Sequence, residues 1–203
     1  MSLERPASGA APAKRELRIG SFSRPMPGEQ ACGDRIVVLQ RTDDVLCAVI
    51  DGLGHGENAA VAAEAAAGYI SSHADDPLDS ILLGCDRAIA STRGVAATLV
   101  RVVLPAGTLE HAGIGNVELT AHSREPIRPV TRPGVVGSRV RKVNVTSHRI
   151  FPGDRIAVFT DGVSARFQFD LMPQAPAQAQ ARRIVEEHGR SHDDASCLVI
   201  HVG

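Results

Sequence analysis

The sequence predicts an α+β domain in which an antiparallel sheet is covered by helices on one face. Two apolar segments, residues 35–40 and 45–50, are joined by a short polar turn, which is typical of an antiparallel hairpin. Two segments with helical spacing, residues 58–72 and 78–92, follow the hairpin directly. Because two helices come in succession after two strands, we expect them to pack together on one face of the sheet.

Further strands are indicated by short apolar runs that Gly, Pro and Asp turns separate. The remaining predicted strands are residues 17–23, 97–104, 108–112, 117–122, 140–148, 155–160 and 196–202. A third helix is predicted to finish at residues 182–188, with Gly189 as its C-cap. The Gln-, Ala- and Pro-rich stretch 171–181 gives no clear pattern.

The length of 203 residues suits one domain, which we place at residues 17–203. Residues 1–16 are rich in Ala, Pro, Arg and Lys and are predicted to form a mobile N-terminal tail. That tail has no apolar segment of the kind that directs secretion. The composition, 43% hydrophobic and 22% charged, is that of an ordinary globular protein.

Composition also argues against several functions. The formal net charge is -1 and aromatic residues make up 3% of the chain, so neither a nucleic-acid partner nor a membrane surface is expected. The four cysteines lack metal-ligand or redox spacing, which favours reduced thiols in a cytoplasmic protein. Two of them, Cys47 and Cys197, lie within apolar strand patterns and are expected in the core.

The glycine-rich turn Asp51–Gly56 stands between the buried strand 45–50 and an alanine-rich helix. A carboxylate at the end of a core strand, followed by glycines that let other groups approach, is a common way to present Asp to a metal or a phosphate. The alternative is a plain strand-to-helix turn in which Asp51 only caps the helix.

Four aspartates share this kind of position: Asp34 and Asp193 precede strands, and Asp51 and Asp161 end them. Asp34 and Asp51 are expected side by side, because the start of one hairpin strand lies next to the end of the other. If all four converge, their repulsion requires cations. Carboxylate oxygens suit Mg²⁺ or Mn²⁺ and fit Zn²⁺ poorly, and a pair of such ions activates water. Four unrelated turn aspartates remain the alternative.

Several motifs together resemble the PPM-type metal-dependent Ser/Thr protein phosphatases. The resemblance is to their bacterial SpoIIE-like branch, and most closely to the short RsbX-like stressosome phosphatases. It extends from about Leu17 to the C-terminus, with the motifs in the family's order. The matching pieces are Gly33-Asp34, the DGLGHG turn at 51–56, Ala97-Thr98-Leu99, Ala112–Asn116, Phe159–Gly162 and Asp193–Ser196.

The resemblance implies a four-layer αββα sandwich, with two antiparallel sheets between outer helices. It implies two Mn²⁺ or Mg²⁺ ions, with Asp51 bridging them and the Gly52 carbonyl on one of them. Asp161 and Asp193 would bind the other ion, and Asp34 would bind a metal or orient its waters. The catalytic residues are then Asp51, Asp161 and Asp34, and a metal-bridging water attacks phosphorus without a covalent phosphoenzyme.

Two features depart from the wider family. Eukaryotic-type members bind substrate phosphate through an N-terminal arginine, for which Arg24 and Arg35 are the nearby candidates here, and neither lies in a matching motif. The segment 164–190 is short, so no third metal is expected. Asn116 is interpreted as a turn residue, and Asp194 as a side chain that bonds backbone amides near the metal ligands.

The function predicted from these residues is removal of phosphate from Ser or Thr of a bacterial signalling protein. The resemblance suggests a phosphorylated STAS-domain partner of the stressosome or anti-sigma type. Two other functions stay open: a non-catalytic pseudophosphatase that only binds a partner, and a metal-dependent hydrolase of a small phosphorylated metabolite.

Overall fold

The structure is a computed structural model that describes residues 16–203. The predicted N-terminal tail, residues 1–16, lies outside the described residues apart from Glu16.

Ten strands and three helices follow one another within the described range. They are β1 (Leu17–Arg24), β2 (Asp34–Gln40), β3 (Asp44–Gly52), α1 (Glu57–Ser72), α2 (Leu78–Ala88), β4 (Val95–Val103), β5 (Thr108–Ile114), β6 (Glu118–His122), β7 (Thr131–Arg132), β8 (Val145–Arg149), β9 (Arg155–Phe159), α3 (Ala177–His188) and β10 (Ala195–Val202).

The strands form two sheets that pack face to face. The four-stranded sheet has the order β1-β10-β9-β6, and the six-stranded sheet has the order β2-β3-β4-β5, with β7 and β8 both pairing with β5. All pairs are antiparallel except β5 with β7. Helices α1 and α2 cover the six-stranded sheet, and α3 covers the four-stranded sheet. The predicted αββα sandwich is therefore confirmed.

Strand β3 shows why the sequence forms these layers. Leu46, Ala48 and Ile50 point towards α1 and α2, where they join the core beneath the helices. The alternating residues, such as Cys47 and Val49, point into the core between the sheets. Because successive side chains of a strand face opposite sides, a strand covered on both faces must be apolar at every position.

Helix α1 owes its position to small side chains. Ala59, Ala62, Ala63 and Ala66 are buried against the sheet. Alanine is a strong helix former, and its short side chain lets the helix axis come close to the strands. The long alanine-rich run is therefore a packing surface, as the sequence indicated.

Two element boundaries differ from the prediction by more than two residues. Helix α2 ends at Ala88 instead of Thr92, because the chain turns there: the Thr92 amide donates to the Ile89 carbonyl at 2.9 Å, and Gly94 adopts φ +83°. The strand predicted from residue 140 begins only at Val145. Val140 and Val143 both pack against the core beneath the helices, a spacing of three that a strand does not produce.

The remaining sequence expectations concern cysteines and membranes. Within residues 16–203 all four cysteines are free, and Cys47 and Cys197 are buried as predicted. No helix in this range is both long and apolar enough to cross a membrane.

His111 is a polar residue inside the core between the sheets. It lies opposite Val100 on β4, it is fully buried, and neither ring nitrogen has a hydrogen-bond partner among the described residues. Burial, and next the neighbouring His148, lower the pKa of His111 to about 4. The folded protein therefore holds this imidazole neutral, whereas the unfolded chain protonates it near its ordinary pKa of 6.5.

We expect His111→Leu to stabilise the protein against acid. The stability that the neutral imidazole provides is present above pH 6.5 and is lost as the pH falls from there towards about 4. Leucine also removes an unpaired buried polar group, which costs roughly 1–3 kcal/mol. Chemical denaturation of both proteins at pH 4.5 to 7.5 measures the effect. A difference in unfolding free energy that stays constant over this range would contradict the assignment.

Candidate active site

Asp34 and Asp51 are direct neighbours across the hairpin of β2 and β3. The register pairs Asp34 with Asp51, and Gln40 with Val45 at the turn end. The strand-end prediction for these two residues therefore matches the structure, and both carboxylates lie at the same edge of the six-stranded sheet.

Asp161 and Asp193 bring further carboxylates from the other sheet. Strand β9 ends at Phe159, and Asp161 follows it after Thr160. Asp193 comes shortly before β10. Asp51, Asp161 and Asp193 line one cleft of about 310 Å³ between the ends of the two sheets. The other lining residues are Leu53, Gly54, His55, Asn116 and His192.

Asp34 lies deeper than the other three, where it ties the two sheets together. Its Oδ2 accepts a hydrogen bond from Thr160 Oγ1 at 2.9 Å, and the same hydroxyl accepts from the Ser196 amide at 3.0 Å. Asp34 Oδ1 is buried and has no partner among the described residues. One carboxylate oxygen therefore fixes the side chain, and the other remains available.

Asp194 closes the base of the site without lining the cleft. Its carboxylate accepts hydrogen bonds from the amides of Met26 and Gly33, each at 2.8 Å. This is the backbone-amide role expected for it. Because Gly33 precedes Asp34, the contact also positions the start of β2.

Glycines allow the strand ends beside the cleft to come into close contact with α1 and with the Asp193–Asp194 turn. A Cβ on Gly52 would lie 2.2 Å from the Ala59 carbonyl oxygen, and one on Gly162 would lie 1.7 Å from the Asp194 carbonyl oxygen. Both distances are sterically impossible, so any side chain there would push α1 or the Asp193–Asp194 turn away from the site. Gly54 has φ +87°, a left-handed conformation that glycine adopts without strain.

The carboxylates raise one another's pKa. Burial, followed by the charges of Asp34, Asp161 and Asp193, raises the pKa of Asp51 to about 8. Burial raises the pKa of Asp34 to about 7, although hydrogen bonds from Ser196 and Thr160 act in the opposite direction. The pKa of Asp193 is also raised, first by burial and then by Asp161. Full ionisation of these carboxyl groups is therefore unfavourable at neutral pH without a bound cation, which would relieve the repulsion between them.

The donor set fits a hard divalent cation. Carboxylates provide the oxygen ligands that Mg²⁺ and Mn²⁺ prefer, and Asp34 Oδ1 is a buried acceptor without a partner among residues 16–203. The side chains are nevertheless not close enough to one another to hold an ion: within the described range no group of three His, Cys, Asp or Glu side chains has the spacing of a metal site. The fold thus places the predicted ligands around one cleft without bringing their oxygens to coordination distance of a common point.

The cysteines are unsuited to nucleophilic chemistry. Burial, and next the charge of Asp34, raise the pKa of Cys32 to about 12, and burial raises that of Cys47 to about 12. A thiol with so high a pKa is protonated and weakly nucleophilic at neutral pH. Cys32 and Cys47 are therefore poor candidates for a nucleophile.

Asn116 and Arg93 are features of the site that sequence reasoning missed. Asn116 Nδ2 donates to Asp161 Oδ2 at 2.6 Å, so this residue orients a cleft carboxylate instead of only turning the chain. Arg93 is not itself a lining residue, but its Nη1 lies 3.1 Å from where a Cβ of Gly54, which lines the cleft, would be. Its place was not visible in the sequence, because the turn that carries it depends on α2 ending at Ala88, whereas the predicted helix ran on to Thr92.

The two N-terminal arginines considered for phosphate binding are engaged elsewhere. Arg24 donates to the Arg190 carbonyl at 2.6 Å, and Arg35 pairs with Glu64 at 2.7 Å. Neither lines the cleft.

Other hollows are larger, but their carboxylates are already engaged. One of about 530 Å³, beside Arg18 and His201, lies at the opposite end of the four-stranded sheet, and its Asp154 is occupied by the amides of Arg124 and Phe151.

A second hollow of about 430 Å³ is lined by three aspartates, but Asp44 and Asp75 pair there with Arg41. Convergent carboxylates without an arginine or lysine among them, and not volume, therefore identify the candidate site.

Comparison with known proteins identifies the family. The sequence profile described as "Stage II sporulation protein E (SpoIIE)" matches residues 41–203, well over half of the chain. The chain belongs to the SpoIIE family. The resemblance drawn from the motifs is thereby confirmed, and with it the predicted class of enzyme, a protein phosphatase.

Individual relatives agree with this assignment. The chain is 25% identical over 139 residues to phosphoserine phosphatase RsbX of Bacillus subtilis (strain 168), covering 68% of this chain and 70% of RsbX. A structure described as "The bacterial stressosome: a modular system that has been adapted to control secondary messenger signaling" matches with a TM-score of 0.88 and 31% identity, over 92% of this chain and 100% of the other. The crystal structure of RsbX in complex with magnesium matches with a TM-score of 0.83 and 20% identity, over 92% of this chain and 96% of the RsbX chain.

The pKa of Asp51 predicts an unusual pH dependence for the metal-free protein. A carboxyl whose pKa is raised on folding stabilises the fold below its unfolded pKa of 3.8, and this contribution is lost as the pH rises through about 8. In a chelator, Asp51→Asn should therefore be more stable than the parent protein at pH 8, with the difference shrinking as the pH falls towards 5. Thermal unfolding of both proteins in EDTA across this range measures it.

Saturating Mn²⁺ serves as the control, because a bound cation should reverse the order and make the parent protein the more stable one. Equal unfolding temperatures of parent and variant at every pH in EDTA would show that Asp51 is not under electrostatic stress.

Proposed function

We propose that this chain is a Mn²⁺- or Mg²⁺-dependent protein phosphatase that removes phosphate from Ser or Thr of a bacterial signalling protein in the cytoplasm. The partner we propose is a phosphorylated STAS-domain protein of the stressosome or anti-sigma type. One observation carries the proposal: Asp51, Asp161 and Asp193 reach a common cleft from the strand ends of both sheets, with Asp34 behind them.

The relatives support the chemistry. RsbX is named as a phosphoserine phosphatase and has been crystallised with magnesium, and a further match comes from work on the stressosome. The four free cysteines are consistent with a reducing compartment.

We assign the metal ligands to Asp34, Asp51, Asp161, Asp193 and the Gly52 carbonyl. Bound cations would supply an activated water for attack on phosphorus and would offset the charge of the phosphate oxygens. In this proposal Asp51, Asp161 and Asp34 are the catalytic residues, because they hold the reacting centre. Asn116 orients the Asp161 carboxylate at the cleft, and Thr160 fixes the Asp34 carboxylate behind it.

Arg93 takes the phosphate-binding role that Arg24 and Arg35 do not fill. Its guanidinium lies at the rim beside Gly54, it is exposed, and it has no ion pair among the described residues. A free guanidinium offers two parallel N–H donors to a phosphate. Because Gly54 has no side chain, the Arg93 guanidinium can lie against this turn at the edge of the cleft.

Asp51→Asn and Asp161→Asn should each abolish Mn²⁺-dependent hydrolysis of phosphoserine substrates and of p-nitrophenyl phosphate. An amide keeps the size of the side chain but removes the charge that holds a cation. Metal binding measured by calorimetry should weaken in parallel. Asp76→Asn, in an exposed turn, is the matched control and should retain full activity.

Three results would separate the alternatives. Full activity of Asp51→Asn would refute the proposed mechanism. A parent protein that binds a partner but neither Mn²⁺ nor phosphate esters would be a pseudophosphatase. Preference for nucleotides or sugar phosphates over phosphopeptides would indicate a hydrolase of small metabolites.

Arg93→Ala should raise KM for every phosphate ester, including p-nitrophenyl phosphate, by roughly tenfold, the effect of losing about 1.4 kcal/mol of binding. It should leave Mn²⁺ affinity and thermal stability unchanged. Arg93→Lys should recover part of the loss, because it restores the charge but not the planar pair of donors. An unchanged KM in Arg93→Ala would remove Arg93 from the site.

A further inference from the structure

The chain carries a strongly one-sided charge in a single segment. Residues 126–153 contain five arginines and one lysine but no Asp or Glu. The net charge of the whole chain is -1, so the rest of it is acidic in balance. Such an asymmetry within one domain marks a surface for an oppositely charged partner.

Three neighbouring cations of this segment are exposed and uncommitted. We call them the basic surface: Arg139, Arg141 and Lys142. In the described part of the chain none of the three has an ion pair or a side-chain hydrogen bond. Arg149, by contrast, pairs with Glu125 at 3.6 Å and lies over the Phe151 ring, so it is already engaged.

The basic surface is held in a fixed place although it lies outside the regular strands. Val140 and Val143 pack into the core beneath the helices, which turns Arg139, Arg141 and Lys142 outwards. Arg139 adopts φ +65°, the one positive φ of a non-glycine residue in the described range. An arginine held in this conformation indicates that the surrounding contacts dictate the loop's shape.

Anchoring contacts connect this loop to α2. The Gly137 amide donates to Asp86 Oδ1 at 2.7 Å, and Asp86 is a buried residue of α2. A Cβ on Gly137 would lie 3.1 Å from the Gly94 Cα, so the two turns are in close contact.

The loop that carries the basic surface passes close to the cleft at Val136. Val136 is bridged to Val95, with amide-to-carbonyl distances of 2.9 and 2.8 Å, and Val95 pairs with Gly52 in the sheet. Since paired strands lie about 4.8 Å apart, Val136 is roughly 10 Å from Gly52. The Leu53 amide also donates to the Gly94 carbonyl at 3.1 Å. One continuous set of backbone contacts thus links the Asp51–Gly56 turn to the basic surface.

Exposed apolar side chains accompany these charges. Val130 and Val145, which lie in the same segment, are 48% and 45% exposed, and Leu53 at the cleft is 38% exposed. Apolar groups within a charged rim are typical of surfaces that bind folded proteins. Nucleic-acid binding is less well supported, because the one aromatic residue of the segment, Phe151, already lies beneath Arg124 and Arg149.

We propose that the basic surface docks the acidic face of the phosphoprotein substrate, so that its phosphorylated residue enters the adjacent cleft. This inference rests on the proposed function, since it concerns how the same site selects its substrate. Docking by charges at the rim raises the rate of encounter and selects acidic partners, whereas the chemistry in the cleft is unaffected.

The test compares two substrates for one variant, Arg139→Asn/Arg141→Gln/Lys142→Gln. Asparagine at 139 tolerates the positive φ, and all three positions are exposed, so the fold should be retained. With phosphorylated casein, an acidic phosphoprotein, kcat/KM at low salt should fall roughly tenfold. With p-nitrophenyl phosphate, which is too small to reach the basic surface, kcat/KM should not change. The fall with casein should disappear at high salt, where such charges are screened.

The matched control is Arg18→Gln/Arg182→Gln/Arg183→Gln, which removes the same charge from β1 and α3 on the other sheet. It should behave as the parent protein does with both substrates. An equal loss in both triple variants would mean that net charge alone matters and would overturn the proposal, as would an unchanged rate with casein in the first variant.

Failure of the proposed function gives a different result. In that case the parent protein hydrolyses neither substrate. Docking is then measured as the binding of phosphorylated casein, by fluorescence anisotropy. Binding by the parent protein and by the control, but not by the first variant, supports docking. Binding of a single-stranded oligonucleotide in preference to casein overturns it.

Discussion

The structure depends on holding several carboxylates together where the two sheets meet. Asp34 and Asp194 each bond across this junction, one to Thr160 and the other to the amide of Gly33. These hydrogen bonds oppose the repulsion between the acidic groups and so fix the ends of β2, β9 and β10 relative to one another. The raised pKa values of Asp34 and Asp51 show that the compensation is incomplete. The remaining stress is the feature that makes the cleft suitable for cations.

Close backbone approach is the second requirement, and it explains the glycine-rich motifs better than ligand geometry alone. Gly52 has no room for a side chain because α1 passes directly over it at Ala59, and Gly162 has none because the Asp193–Asp194 turn lies against it. A helix with larger residues at its buried positions would stand farther from β3 and would open this corner. The alanine-rich composition of α1 and the glycines beside the aspartates are thus parts of one packing solution.

Sequence reasoning succeeded where local pattern determines structure. Apolar runs located the strands, and pairing across the hairpin placed Asp34 beside Asp51, because both depend on neighbours in the chain. The convergence of two sheets was supplied by the family resemblance, since no periodicity specifies how sheets pack. The bond from Asn116 to Asp161, the position of Arg93 and the strand β7 were missed, because contacts between distant segments create them.

The cleft carboxylates and the basic surface occupy separate places, and electrostatics explains why. A lysine or arginine among the carboxylates would pair with Asp51 or Asp193, lower their pKa values and compete with divalent cations for them. The cleft lining accordingly contains two histidines and no Lys or Arg among the described residues, and Arg93 lies at the rim. A cation more than about one Debye length away, roughly 8 Å at physiological salt, is largely screened from the carboxylates but still attracts an approaching acidic protein. Arg139 follows Val136 by three positions, and Val136 lies roughly 10 Å from Gly52, so recognition and catalysis can be adjusted independently.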